Sequence, residues 1–448
     1  MKRVAIILLG MGVLGVSVGA QAQAVVPNNC PYQSHRLSLA CLIPDVTATG
    51  RSPNLGTFDT TIAQVLGQLP LAAPVSGFVL GFDKATGQFV PLNENLGSVL
   101  TERGNTVGKY KVFVGFTAQR FVFHAIDGQR LSDLPSVAAI TASSTSSSTS
   151  IFAANTVSLG ANLNQYTGIV AFGLTDKIDL SLTVPFERVS LSGGYTNYTN
   201  ALVSGTSAVV TPGAPATNFV AGSASGFGDI LLNMKGTVYN GEKSKLAMGL
   251  ETRLPTGNEY NFLGTGSWGV KPYIVFSRLG RVTPHVNVGY QWNDFTNLYI
   301  NKCYFAQTCT ANSSAIPTLQ LPHSIDYSFG ADFGIIPKLT VVGDFVGQHY
   351  FDDPSVTAPV TAGGNVPGLP NCANTNTGPC SAAGMLQFTQ SLTVLVKNTS
   401  INQDNVAVGL KVNPIGKLII SANALIRLDN GGLRPDRFAP LVGISYRF

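Results

Sequence analysis

The sequence predicts an all-β fold, a transmembrane antiparallel up-and-down β-barrel of about twelve strands that follows an N-terminal segment. Three observations lead to this fold class. The chain starts with an export signal, it carries little charge without any membrane-spanning helix, and its strands are joined alternately by short and long connections. Together they indicate an exported protein that crosses a membrane with strands.

The export signal occupies residues 1–24. Lys2 and Arg3 form a positively charged start, an apolar stretch follows, and Ala22-Gln23-Ala24 is a small-residue cleavage site. We expect the mature chain to begin near Val25. The alternative is an uncleaved membrane anchor, but the apolar stretch is short for a span.

The composition is unusual for a soluble protein. Charged residues make up 11% of the chain, against about 25% in an average soluble domain. Beyond the signal no run of about 18 apolar residues occurs, so no membrane helix is predicted. Length alone also allows two or three soluble domains. The net charge of +5 is scattered and includes two signal residues, so a nucleic-acid partner is not expected.

Twelve segments have the composition of strands, and their connections alternate in length. Five connections are tight and contain Gly, Pro, Asn or Asp, whereas six are longer. Outer-membrane barrels show this asymmetry, with short periplasmic turns and longer extracellular loops. The even strand number predicts that both chain ends face the periplasm. The predicted strands are 109–123, 164–175, 178–191, 227–239, 244–254, 268–278, 281–293, 323–335, 339–350, 403–413, 416–428 and 438–448.

The predicted connections follow from these strands. The tight ones are 176–177, 240–243, 280, 336–338 and 414–415. The long ones are 124–163, 192–226, 255–267, 294–322, 351–402 and 429–437.

Apolar and polar residues alternate along the predicted strands. In 178–184 one face carries Ile and Leu residues with Val184, and the other carries Asp179, Ser181 and Thr183. The same period of two occurs in 246–253, 282–292 and 418–428. A soluble sandwich would bury the apolar face instead. The signal, the low charge and the loop alternation favour an apolar face toward lipid and a polar face toward a lumen.

The last strand alternates in the same way and ends on Phe448. A terminal amphipathic strand that ends in an aromatic residue resembles the signal read by the bacterial barrel-assembly machinery. We therefore expect the outer membrane of a Gram-negative-type cell as the location, with outer-membrane lipids and this machinery as partners.

The six cysteines occur as three close pairs. In an exported chain such spacing predicts small disulfide loops, ahead of free thiols. No histidine lies near them in sequence, so a metal site is not expected. The predicted pairs are Cys30 with Cys41, Cys303 with Cys309, and Cys372 with Cys380.

Two motifs carry a resemblance to known families. They are Gly226-Phe227-Gly228-Asp229 and Arg253-Leu254-Pro255-Thr256-Gly257, supported by 166–185, 284–292 and 432–435. In their order along the chain they resemble the long-chain fatty-acid transporter (FadL-type) and phenol-degradation-pathway (MetA-type) outer-membrane families, over roughly residues 109–448. The resemblance implies a monomeric barrel that passes small hydrophobic molecules across the outer membrane.

Fatty-acid transporters of this type also carry an N-terminal hatch inside the barrel. Residues 25–108 precede the first strand, and we expect them to form a plug or a periplasmic extension, although the family's hatch sequence is not matched. Those transporters have fourteen strands rather than twelve. An additional pair is available from 76–92 or from 386–399.

Charged residues on the inward strand faces are the candidate site residues. They either brace the barrel interior or line a pathway and set its selectivity. Asp229 with Lys235, and Glu251 with Arg253, are the expected partners. The lumen candidates are Lys111, Asp179, Asp229, Lys235, Glu251, Arg253, Lys271, His285, Asp332, Asp344, Lys411, Arg427 and Arg447.

No enzyme motif accompanies these residues. The sequence contains neither a Gly-x-Ser-x-Gly elbow nor a His-Glu-x-x-His pair. His124 and His349 lie near extracellular strand ends, where loop serines are plentiful, so only a non-local Ser–His pair would be conceivable. The sequence thus predicts a passive channel without catalytic residues, metal or cofactor. The alternative is a surface-structural or adhesive barrel that transports nothing.

Overall fold

The computed structural model describes the barrel and parts of the N-terminal segment. The export signal, its cleavage site and every cysteine except Cys41 lie outside the described residues, so cleavage and disulfides stay predictions. The described residues are 38–41, 62, 64–66, 69, 80–83, 88–91, 96, 100–144, 147–204, 207–212, 220–298, 319–353, 355–365, 385–395, 399–415, 417–435 and 437–448.

Twelve strands form one closed antiparallel sheet in which each strand pairs with its neighbours in sequence. The last strand pairs with the first, with Ile444 opposite Phe116, and this pairing closes the ring. The predicted fold class and strand number are confirmed. The barrel strands are β1 (Val112–Ile126), β2 (Ser147–Gly173), β3 (Ile178–Ser204), β4 (Ile230–Asn240), β5 (Ser244–Leu254), β6 (Gly269–Arg278), β7 (Val282–Asn293), β8 (Ser324–Ile336), β9 (Leu339–Tyr350), β10 (Ile401–Ile415), β11 (Leu418–Arg427) and β12 (Phe438–Arg447).

Five tight turns lie at one end of the barrel, and the longer connections lie at the other. We call these the turn end and the loop end. The turn between β2 and β3 shows the local chemistry, because Thr175 Oγ1 accepts hydrogen bonds from the backbone N–H groups of Lys177 and Ile178. The start of β1 and the end of β12 also lie at the turn end. The predicted alternation of short and long connections is confirmed.

Several predicted loops contain further strands, which is a correction. Within 124–163 and 192–226, β2 and β3 continue past the barrel as a paired hairpin. The Ser-, Thr- and Ala-rich composition indicated loop, but the backbone groups pair across the hairpin whatever the side chains are. The additional strands are Gln129–Arg130, Leu134–Ser144, Ser207–Pro212, Val220–Phe227, Phe295–Thr296, Leu319–Gln320 and Leu433–Pro435.

Segments 76–92 and 386–399, which were considered as the extra strand pair of a fourteen-strand barrel, do not join the barrel sheet in their described parts. Leu80–Asp83 pairs only with Gln88–Pro91, and Ser355–Asn365 pairs only with Met385–Leu395, so each forms its own two-stranded sheet. Two short 3-10 helices, Leu39–Cys41 and Glu259–Asn261, and helical residues at 62 and 64–66 complete the described elements. None of the helices within the described ranges has the length and apolar character needed to span a membrane.

The barrel exposes an apolar outer face and buries a polar inner face. Along β7, Val282, Val286 and Tyr290 are exposed, whereas His285 and Gln291 are buried. The predicted face assignment is confirmed. Aromatic residues gather near both rims, as in membrane barrels. Trp268 and Trp292 are exposed near the loop end, and Tyr239, Tyr446 and Phe448 are exposed near the turn end.

Candidate functional site

The loop end of the lumen is filled by apolar side chains. Inward residues of the upper strands, such as Phe121 on β1 and Leu163 on β2, pack against side chains of the N-terminal segment. Phe262 and Leu263 of the β5–β6 connection join them. We call this group the mouth cluster. Its principal members are Leu39, Ile62, Val65, Leu66, Phe121, Phe123, Leu163, Val189, Leu191, Phe262, Leu263 and Leu425.

The turn end of the lumen is crossed by another part of the N-terminal segment. We call Leu96 and residues 100–107 the inner segment. It forms hydrogen bonds with side chains of four different strands, so it reaches across the ring. These bonds join Leu96 N to Thr340 Oγ1 at 2.8 Å, Gly104 N to Ser277 Oγ at 3.1 Å, Val107 N to Asp179 Oδ2 at 2.7 Å, and Thr237 Oγ1 to the Gly104 carbonyl oxygen at 2.7 Å.

A buried ionic network fixes the inner segment to the wall. Arg103 Nε donates to Asp332 Oδ2 at 3.0 Å, and both side chains are fully buried. His285 lies between two carboxylates, with Nδ1 3.5 Å from Asp332 and Nε2 2.7 Å from Asp344. Thr101 Oγ1 is 2.8 Å from the same Nε2 atom. Removing one partner from such a buried pair is strongly destabilising, because the other charge stays desolvated.

A second set of ion pairs lies higher in the lumen. Lys235 Nζ is 2.5 Å from Glu102 Oε2, and so a strand lysine is paired with the inner segment. Lys271 Nζ lies 2.8 Å from Glu251 and 3.3 Å from Asp326. These pairs join residues of different strands or segments.

The pairing expected from sequence is therefore different in the structure. Asp229 lies 3.8 Å from Arg253 rather than beside Lys235, and Glu251 is paired with Lys271. Six residues along a strand separate Asp229 from Lys235, which corresponds to roughly 20 Å. Residues that face each other or lie diagonally on adjacent strands are closer than residues six positions apart on one strand, so the ion pairs form across strands, as between Glu251 and Lys271, which are directly opposite in register.

The structure places the other proposed lumen residues as follows. Asp179 and Lys411 are buried on the inner face, and Lys411 interacts electrostatically with Asp332 and Asp344. Arg427 is half-buried at the loop end of β11. Lys111 is half-buried immediately before β1, and the side chain of Arg447 is outside the described residues.

A cavity of about 210 Å³ lies between the mouth cluster and the inner segment. Leu66 and Leu263 line it from the mouth cluster, and Leu100 and Glu102 line it from the inner segment. For scale, a dry engineered cavity of about 150 Å³ binds benzene. The charged side chains that line the cavity are Glu102, Glu187, Asp229, Glu251 and Asp326 on the acidic side, with Arg253 and Lys271 on the basic side.

Asp229 shows how the strand-to-loop geometry positions a wall residue. It stands just before β4, beside the connection that follows β5. Its Oδ2 accepts from Thr265 N at 2.8 Å and from Thr265 Oγ1 at 2.7 Å, and its Oδ1 accepts from Gly257 N at 3.1 Å. Both oxygens of Asp229 are therefore held by the loop that carries part of the mouth cluster.

Sequence reasoning missed three groups of this site. Glu187 lies an even number of residues from Asp179 on β3, so both side chains point to the same inner face. The alternation of faces could therefore have identified Glu187. Glu102 and Arg103 lie outside any predicted strand. No local pattern indicates that an N-terminal residue contacts a strand more than a hundred residues away.

Two carboxyl groups outside the strands are affected by burial at the loop end. Asp353, in the connection after β9, is buried, and burial raises its pKa well above the usual value, with the nearby charge of Asp127 adding to the rise. Burial also raises the pKa of Asp429, against the opposing effect of Arg434 at 3.0 Å. Burial at the loop end thus acts on the pKa of both acids in the same direction.

The histidines near the strand ends have ordinary partners. His124 Nδ1 lies 3.2 Å from the carbonyl oxygen of Val122, and His349 Nδ1 lies 2.6 Å from Asn402 Oδ1. Neither has a hydrogen bond to a serine within the part of the chain that the structure describes.

Comparison with known proteins gives one family match. A family model described as a putative MetA-pathway of phenol degradation matches residues 141–349, a little under half of the chain. The resemblance to this family is confirmed over that stretch. No curated protein matches the sequence.

Solved membrane barrels resemble this chain at low identity and low TM-score. An outer membrane channel from Pseudomonas putida F1 is 12% identical, with 78% of this chain and 99% of that chain covered and a TM-score of 0.41. The NanC porin is 7% identical, with coverages of 74% and 98% and a TM-score of 0.34. A FadL homologue from Pseudomonas aeruginosa is 7% identical, with coverages of 75% and 89% and a TM-score of 0.26. At these identities the likeness is one of fold alone.

Proposed function

We propose that this chain is an outer-membrane channel that lets small, mainly hydrophobic molecules pass without energy input. Residues 25–108 act as its plug, and the barrel works as a monomer without catalytic or cofactor chemistry. The observation that carries the proposal is the lumen cavity between the mouth cluster and the inner segment. A barrel that served only as a surface support would have no need of such a cavity in its lumen.

The apolar wall at the loop end supports hydrophobic solutes. Leu39, Ile62 and Leu66 of the N-terminal segment cover strand residues such as Phe121 and Leu163. An apolar solute that displaces these side chains keeps the strand residues away from water, so the exchange costs little free energy. A small ion without an apolar part would lose its hydration at the same place without compensation.

Assembly in the membrane is part of the same proposal. Phe448 N donates to the Val112 carbonyl oxygen at 2.9 Å, so the chain end seals against the first strand. We propose that the barrel-assembly machinery reads this terminal strand after cleavage of the export signal near Ala24. The exposed apolar band then contacts the lipids.

A second candidate function is a structural barrel that is packed shut. The buried pairs of Arg103 with Asp332 and of Lys235 with Glu102 favour it, because they hold the inner segment across the lumen. The two candidates differ in whether solutes cross.

Uptake into liposomes separates them. Purified protein is reconstituted, and entry of phenol or of a hydrophobic dye is compared with that into empty liposomes. We expect measurable flux and a faster rate for Leu66→Ala, which thins the mouth cluster. Leu410→Ala on the lipid face is the matched control and should leave the rate unchanged. No flux in either the wild type or Leu66→Ala would establish the structural reading.

A further inference from the structure

The cavity contains more carboxylates than cations, and four of its five carboxylates are paired. Glu102 is paired with Lys235, and Asp229 faces Arg253. Glu251 and Asp326 share Lys271. Since Lys271 serves two acids and Arg253 one, no lining cation is left over for the fifth carboxylate, Glu187.

Glu187 stands on the inner face of β3 and is 3% exposed. Its Oε1 accepts one hydrogen bond, from Gln165 Nε2 at 2.9 Å. Among the described residues no Lys, Arg or His nitrogen lies within 4.0 Å of it. The negative charge of Asp229 is close enough to oppose that of Glu187, and Asp229 is already satisfied by Thr265, Gly257 and Arg253. Burial of a carboxylate without a cation is unfavourable, and a positive group bound at this position would stabilise the ionised form of Glu187.

Gln165 supplies an independent indication. It is 3% exposed and lines the cavity beside Glu187. Its amide nitrogen donates a hydrogen bond to Glu187, and its buried Oε1 has no hydrogen-bond partner among the described residues. With Glu187 ionised, Gln165 and Glu187 therefore present acceptors and no free donor to the same space.

We propose that Glu187 and Gln165 bind the ammonium group of a small amphipathic amine inside the lumen cavity. This inference rests on the proposed function in that it names the class of solute the channel selects. A protonated amine offers three N–H donors and a positive charge, which matches a carboxylate and a free amide oxygen. A neutral hydroxyl offers one donor and no charge.

The rest of the cavity fits the apolar body of such a molecule. Leu263 and Pro185 line the wall near Glu187, and Leu66 and Leu69 line the side of the mouth cluster. The volume of about 210 Å³ accommodates a single aromatic ring with a short side chain. The acidic excess of the lining excludes anions of the same size by like-charge repulsion.

Calorimetric binding to the detergent-solubilised full chain tests this inference. The probes are 2-phenylethylamine, 2-phenylethanol and phenylacetate, which share one ring and differ in charge. We expect the amine to bind the wild type about tenfold more tightly than the alcohol, and phenylacetate to bind least. Glu187→Gln keeps the shape, removes the charge, and should abolish the preference while the alcohol binds as before. Glu242→Gln, in the exposed turn between β4 and β5, is the matched control.

Gln165→Met gives a second readout and should weaken amine binding by a smaller factor than Glu187→Gln. Circular dichroism in the same detergent verifies that each variant is folded. Equal binding of amine and alcohol to the wild type, an unchanged preference in Glu187→Gln, or no binding of any probe would overturn the proposal. Selective amine binding without liposome flux would instead retain this site and reject the channel function.

Discussion

Arg103 links the inner segment to the barrel wall through a charge that has no contact with water. Replacing it with Met removes the arginine partner of Asp332 and leaves His285 and Lys411 as its charged neighbours, at an expected cost of about 3–5 kcal/mol. Because the strand pairing of the barrel does not involve Arg103, we expect this cost to release the inner segment and leave the barrel folded. Hydrogen exchange of the peptide that covers 100–107 should therefore rise strongly in Arg103→Met.

Lys243→Met provides the control for this experiment, since Lys243 is exposed in a turn. Its exchange pattern over 100–107 should equal that of the wild type. Unchanged protection in Arg103→Met would show that backbone hydrogen bonds such as Val107 N to Asp179 hold the segment without the ion pair.

At the residue scale, odd or even position along a strand predicted which side chains face inward. It did not predict which residues form ion pairs. Alternation placed Asp332, Asp344 and His285 on the inner face, where the structure has them buried. The partners of Lys235 and Asp332 come from Glu102 and Arg103. Contacts between an irregular segment and a distant strand leave no periodic signal in the sequence, so they could not be predicted.

At the element scale, tight turns and barrel strands were predictable because each has a local cause. Period-two alternation identifies a strand, and Gly, Pro, Asn or Asp identifies its turn. The sequence of the hairpin beyond the barrel on β2 and β3 lacks that alternation. Composition alone therefore indicated loop where the backbone forms strand.

The inner segment is the element whose movement the channel proposal requires. A Cβ atom on Gly104 would lie 2.9 Å from both Cβ and the carbonyl oxygen of Lys245 on β5, closer than Cβ atoms approach in folded proteins. Gly104→Ala should therefore push the inner segment away from the wall. We expect this variant to raise the liposome flux of phenol above that of the wild type.

Gly343→Ala on β9 is the matched control, because a Cβ atom at that position has nothing within 4 Å. Its flux should equal that of the wild type. If Gly104→Ala also conducts like the wild type, the position of the inner segment does not set the rate, and the plug role assigned to residues 25–108 is wrong.

For the whole molecule, closure of the sheet separates an outer face, which faces lipid in our proposal, from an inner face that lines the lumen. The ring leaves no free strand edge in the barrel, so backbone polar groups are paired as a lipid environment demands. The low charge of the chain follows from this arrangement, because the outer band excludes charged residues. Charge is instead concentrated in the lumen, where ion pairs compensate it.

Placing a lysine at two depths of one strand tests the membrane position directly. Val286 and Val282 lie on the same outer face of β7 and are 46% and 49% exposed, but Val282 is at the turn end and Val286 lies further into the band. Lysine costs about 2–4 kcal/mol at the bilayer midplane and about 0–1 kcal/mol near the interface. Denaturant titration in liposomes should therefore show a clear loss of unfolding free energy for Val286→Lys and a small one for Val282→Lys. Equal and negligible effects would mean that water rather than lipid surrounds this face, because in water neither exposed position would distinguish Val from Lys.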